Sequence, residues 1–175
     1  MKKILALTFL LLSSFSFANE STINVVLEGV VSLDIPQGFS RMSDEVAKQK
    51  YPMEKRAKSI FTNSEGNVDI LVNYTQNKVP DNQEDLLRQA LSNNMKKMHP
   101  TAKWHSNEIV EINGHKYALL ELTTTAMDTD IHNVMLATTV NGRVLLISFN
   151  MAVELEDEWL DRAQKTVRTA KIIKN

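Results

Sequence analysis

Two Asn-Gly dipeptides, Asn113-Gly114 and Asn141-Gly142, each lie between long stretches of alternating apolar and polar residues. Asn-Gly tolerates positive φ at both central positions of a two-residue turn, so it is the strongest short-range signal for a β-hairpin. The spacing predicts hairpins of Lys103–Ile112 with His115–Thr125 and of Ile131–Val140 with Arg143–Met151. A two-residue turn also fixes register. Glu111 then faces Lys116, an opposite-charge pair that supports the alignment. In the second hairpin His132, Val134, Leu136, Thr138 and Val140 share a face with Arg143, Leu145, Ile147, Phe149 and Met151. That face is mostly apolar and reads as core.

Earlier segments add shorter elements. Ile23–Leu27 and Val30–Ile35 read as two strands around Gly29, the second ended by Pro36-Gln37-Gly38-Phe39. Ser43 is placed to cap a short helix over 43–50, with Asp44 and Glu45 in its first turn. Ala57–Thr62 and Val68–Thr75 read as a hairpin around Asn63–Asn67. Asp81 and Glu84 have capping-box spacing, ahead of a helix whose Leu87, Leu91, Met95 and Met98 recur on one face beside Leu86 and Ala90. A methionine stripe at this spacing is core filler before it is a partner site. A final helix is expected over 155–170, with Leu155, Trp159, Ala163 and Val167 as its apolar stripe. Glu156, Asp157 and Glu158 crowd its start, while Lys165, Arg168 and Lys171 crowd its end, as the helix dipole favours. Consecutive antiparallel strands interrupted by helices predict an α+β fold: an antiparallel sheet with helices packed on it.

The N-terminus reads as a cleavable export signal. Lys2 and Lys3 precede an apolar run over 4–12, and Ser16-Phe17-Ala18 supplies the small residues that signal peptidase requires. Cleavage is expected after Ala18. This leaves a single domain over 19–175 and implies a periplasmic location. The apolar run is far short of the roughly 20 residues needed to span a bilayer, and no second long apolar run occurs. The chain has no cysteine, hence neither a disulfide nor a cysteine for lipid attachment at the cleavage site. With 20 Lys and Arg against 21 Asp and Glu, it shows no basic footprint for nucleic acid.

A search for chemistry yields little. There is no Gly-x-Ser-x-Gly elbow and no Gly-rich phosphate loop. In the hairpin register His105 lies opposite Leu122, His115 lies at a turn, and His132 lies near the far end of the neighbouring hairpin. The histidines are therefore spread out, with no metal-ligand spacing. Ser148 sits within a strand on the face opposite the apolar one. The acidic run Glu154, Glu156, Asp157 and Glu158 is explained by the helix that follows. No catalytic residue, cofactor or metal is expected. Trp104 and Tyr117 fall in register on one face, opposite Thr123 and Val110. Either a helix covers that face or it is open to a partner, since Trp and Tyr are enriched at interface hot spots.

The order of elements is similar to that of the PsbP/DcrB-like family. Ser32-Leu33-Asp34-Ile35-Pro36-Gln37-Gly38-Phe39 resembles that family's opening strand and Pro-x-Gly-Phe turn. Glu111-Ile112-Asn113-Gly114-His115-Lys116 resembles the central hairpin of DcrB-type periplasmic proteins, and Leu145–Asn150 with the terminal helix matches in placement. Members serve as extrinsic subunits of photosynthetic complexes, as envelope proteins linked to phage entry, and as chaperones of secreted toxins. The resemblance implies a non-enzymatic protein-binding module. Its sharpest form is an immunity protein against a toxin delivered into the periplasm, and its alternative an envelope maintenance or assembly factor; a metal-binding or enzymatic protein is the third reading. DcrB-type proteins often carry a lipid-attached cysteine, which this chain lacks.

Overall fold

The structure is a computed structural model that describes residues 21–54, 56–126 and 129–173. The export signal lies outside the described residues. The elements run β1 (Thr22–Leu27), β2 (Val31–Pro36), β3 (Ser40–Arg41), α1 (Asp44–Lys50), β4 (Ser59–Thr62), β5 (Val68–Lys78), α2 (Glu84–Met98), β6 (Lys103–Ile112), β7 (His115–Thr125), β8 (Asp130–Val140), β9 (Arg143–Ala152), α3 (Glu156–Arg168) and β10 (Lys171–Ile172). Seven strands form one antiparallel sheet in the order β3-β4-β5-β9-β8-β7-β6. β1, β2 and β10 form a second, three-stranded sheet. The fold is the α+β sandwich expected from the sequence, with the small second sheet as an addition.

Both Asn-Gly turns take the predicted form. Asn113 and Gly114 have φ of 51° and 73°, and Asn141 and Gly142 have 51° and 69°. Their registers follow: Glu111 pairs with Lys116 and Val140 with Arg143. Because side chains alternate along each strand, the large sheet has two apolar faces. The inner face, with Tyr117, Leu119, Val134, Leu136, Leu145, Ile147, Phe149 and Met151, packs on β2 and on Trp159, Ala163 and Val167 of α3. The outer face, with Ala118, Leu120, Leu122, Ala137 and Val144, is covered by Leu87, Leu91 and Met95 of α2. A third, smaller cluster joins Met42 and Ala47 to Ile60.

Two helix details depart from expectation. Ser43 caps α1 as predicted, its Oγ accepting from the Val46 N–H at 3.3 Å. Asp81 does not cap α2. The helix begins at Glu84 after Gln83, with no side-chain cap. Asp81 Oδ1 instead accepts from the Gly142 N–H at 3.0 Å, and Glu84 accepts from Thr139 Oγ1 at 3.1 Å. The acidic pair serves the β8–β9 turn and the sheet, which offered donors that sequence spacing could not reveal. Leu86 and Met98 stay exposed, so the stripe on α2 is narrower than predicted. Among the described residues no helix is long and apolar enough to cross a membrane.

Candidate functional site

A β-bulge decides where the candidate residues lie. From the turn, the β6–β7 register runs unbroken to Ser106 opposite Glu121, and then Trp104 pairs with Leu122. His105 is the inserted residue. A one-residue slip sends every side chain beyond it to the other face. Trp104 and Tyr117 therefore do not share a face, which corrects the expectation from an unbroken ladder. Trp104 joins the outer face beside α2, with Lys96 Nζ 5.6 Å from its ring centre. Tyr117 is 1 % exposed within the inner core. Its hydroxyl has no hydrogen-bond partner, and burial pushes its pKa up.

The same bulge corrects the expectation that the histidines are dispersed. His105 stacks on His132, ring centres 4.8 Å apart and planes 16° from parallel. His132 is 2 % exposed and sits between two carboxyl groups. Its Nδ1 is 2.6 Å from Glu156 Oε1, at the start of α3, and its Nε2 is 3.1 Å from Glu121 Oε1, on β7. Gln164 Nε2, further along α3, donates to both Glu121 oxygens at 3.2 and 3.1 Å. His105 Nε2 lies 2.8 Å from Thr123 Oγ1. Burial, and then the neighbouring His132, hold the His105 pKa below its usual value, with Glu121 and Glu156 acting in the opposite sense.

This cluster ties the start of α3 to β6, β7 and β8. The acidic run before α3 thus has a second use beyond the helix dipole, since Glu156 meets His132 and Glu154 accepts from Thr129 Oγ1. Among the described residues no group of three or more His, Cys, Asp or Glu side chains is placed to hold a metal ion. His115 is engaged elsewhere, 2.8 Å from Thr138 Oγ1, and Ser148 donates to Asn150.

A second polar cluster braces α1. Asp69 is 2 % exposed, accepts from the Tyr51 hydroxyl and is 2.6 Å from Lys50 Nζ. Burial first, and then the Asp69 charge, push the Tyr51 pKa far up.

A concave feature of the molecule lies near α1. A cleft of about 770 Å³ opens between α1 and α2. Met42, Ala47, Ile60, Leu91 and Leu146 give it apolar walls, and five consecutive residues of β5, Asn73 to Asn77, run along it. Consecutive residues of a strand point to opposite faces, so a cavity that touches all five meets the edge of the strand. Sequence reasoning missed this cleft. It ended β5 at Thr75 and began its partner strand at Ala57, whereas β5 runs to Lys78 and β4 begins at Ser59.

No protein-family model and no curated protein matches the sequence. Solved structures do. The chain is similar in fold to a cyanobacterial PsbP from Synechocystis sp. PCC 6803, with a TM-score of 0.64 at 13 % identity over 93 % of this chain and 99 % of that one. It is also similar to LpqN, described as involved in cell envelope biogenesis of Mycobacterium tuberculosis, with a TM-score of 0.57 at 10 % identity over 91 % and 88 % of the two chains. A Pseudomonas aeruginosa protein of unknown function gives a TM-score of 0.50 at 16 % identity over 88 % and 98 %. The fold is therefore PsbP/DcrB-like, as the opening strand and central hairpin suggested.

Proposed function

We propose that this chain is an exported, non-catalytic protein-binding module, released after Ala18 and free in the periplasm as a single domain over 19–175. The observation that carries this reading is where its reactive groups sit. His132, Glu121 and Glu156 engage one another, and Lys50 and Tyr51 both engage Asp69 through its Oδ2. The solvent-open cleft is lined by carboxamides, apolar walls, a strand edge and two charges of each sign, a mixture that suits recognition of a polypeptide. In its sharpest form the module is an immunity protein that blocks a toxin delivered into the periplasm. Blocking needs surface complementarity and no catalysis. Trp104, half-buried on the outer face, stays a candidate contact; Tyr117 would need the core to open.

The test is a pull-down of the mature protein against products of adjacent genes, paired with a protection assay on co-expression. A tight partner whose toxicity is relieved supports the reading, and absence of both refutes the immunity form. Likeness in fold to the envelope protein LpqN favours a second reading, an envelope assembly factor. It predicts that deletion weakens the envelope or alters phage sensitivity with no toxin present.

A further inference from the structure

We propose that the free edge of β5 takes an extended polypeptide segment of a partner protein as an added strand inside the α1–α2 cleft. This rests on the protein-binding reading and names the site and the kind of partner. β4 pairs with β5 only from Ser59 opposite Val72 to Thr62 opposite Asp69. β5 continues to Lys78, so among the described residues no strand pairs with its β4-side edge past Val72, and Arg56, Ala57 and Lys58 line the cleft with it instead. On the other side the ladder to β9 breaks after Tyr74 and resumes at Lys78 opposite Arg143. Thr75, Gln76 and Asn77 thus belong to neither ladder.

The exposed edge is held in shape. Arg143 spans the break, its Nε donating to the Thr75 carbonyl at 2.8 Å and its Nη2 to the Tyr74 carbonyl at 3.2 Å. Its guanidinium also lies 3.8 Å from the centre of the Tyr74 ring. The Asn77 N–H is turned to Thr75 Oγ1 at 3.2 Å. A pre-shaped edge loses little conformational entropy on pairing.

Elsewhere, β6 is the long edge strand of the large sheet and is guarded by its bulge and by Lys103, Glu108 and Glu111, devices that discourage pairing. Over Asn73–Asn77 the β5 edge carries no charged side chain, although its register shifts there as that of β6 does. Those five residues span about 17 Å, room for a short added strand. Asn73, Gln76, Asn77 and Asn94 offer carboxamides that can both donate and accept, matching a peptide main chain. Asp44, Glu54, Arg56 and Lys58 also line the cleft, and among the described residues none of the four has an ion-pair partner. A rim with two charges of each sign complements a mixed-charge polypeptide and disfavours a polyanion such as nucleic acid. Strand addition of this kind draws affinity from main-chain hydrogen bonds and specificity from alternate side chains.

The test uses the mature protein and a phage-displayed library of random heptapeptides. Enriched peptides are synthesised and titrated by fluorescence polarisation. Asn94→Trp, at an exposed position on α2, fills the cleft. Gln76→Pro, outside both ladders, removes a backbone N–H from this stretch and serves if the first variant does not fold. The expected result is that each variant, and N-methylation of alternate peptide amides, weakens binding by at least about tenfold. Enrichment of no peptide, or peptides that bind Asn94→Trp and survive N-methylation unchanged, overturns the proposal. A protein partner captured equally by wild type and Asn94→Trp leaves the protein-binding reading intact and removes the cleft from it.

Discussion

Replacing His132 by Ala takes the centre out of a buried polar cluster and leaves Glu121 and Glu156 facing the gap. The size of the effect follows from what each carboxylate keeps. Glu121, whose side chain is 11 % exposed, loses its 3.1 Å contact but keeps both hydrogen bonds from Gln164. Glu156, at 32 % side-chain exposure, loses a 2.6 Å contact yet can turn to water. Removing one member of a fully buried pair costs about 3–5 kcal/mol. Partial exposure of Glu156 and the retained Gln164 bonds place His132→Ala at the lower end, about 3 kcal/mol. For a domain of about 150 residues that is a fall in Tm of roughly 6–12 °C. Glu121→Gln keeps an oxygen to accept from His132 and should cost about 1 kcal/mol. Urea denaturation of both single variants and the double variant measures the coupling directly. A loss below about 1 kcal/mol for His132→Ala, or additive losses in the double variant, would refute the clamp.

Three further outcomes are expected. The His105 pKa is lowered in the folded state from 6.5, so the unfolded chain binds the proton more readily. Its contribution to stability is full above pH 6.5 and lost as pH falls below that value, and a Tm-against-pH profile of His105→Gln should be flatter there than wild type. Trp159 meets Phe39 edge-on at 5.4 Å and Phe149 at 6.3 Å, under α3. Trp159→Ala should cost about 3–5 kcal/mol by denaturation and remove near-ultraviolet circular dichroism. Asp81→Ala should cost about 1 kcal/mol through its lost bond to the Gly142 N–H, while the amide exchange of the first turn of α2 stays unchanged; faster exchange there would restore Asp81 as a cap.

The parts legible in the sequence are those set by local chemistry. Asn-Gly needs positive φ at two successive residues, so both long hairpins and their registers near the turns could be read outright. The stripe of Trp159, Ala163 and Val167 announced α3 in the same way. Contacts made across the sandwich were not legible. Asp81 and Glu84 had the spacing of a cap, but the Gly142 N–H and Thr139 lie far along the chain and compete for them. β10 is two residues long, and only its pairing with Ser32 and Val31 makes it a strand.

The bulge at His105 links these errors to the site. An Asn-Gly turn fixes register outward from itself, and each pair inherits that register until a residue is inserted. Trp-His-Ser gives no local sign of an insertion, since any of the three could continue a strand. What selects it is tertiary. With His105 extruded, Trp104 reaches the outer face to cover Leu122 beside α2, while His105 lies on His132 at the inner face. In an unbroken ladder Trp104 would compete with the tightly packed inner face. Deleting His105 should therefore give an unbroken ladder in which Trp104 keeps its place opposite Leu122 on the outer face, while His132 loses its stacking partner. The same reasoning separates the two polar regions of the molecule. Around His132 the side chains are satisfied by one another, so that cluster fixes how α3 meets the sheet. Along β5 the ladder is left unfinished between Tyr74 and Lys78, and it is there that a second polypeptide could complete what this chain leaves open.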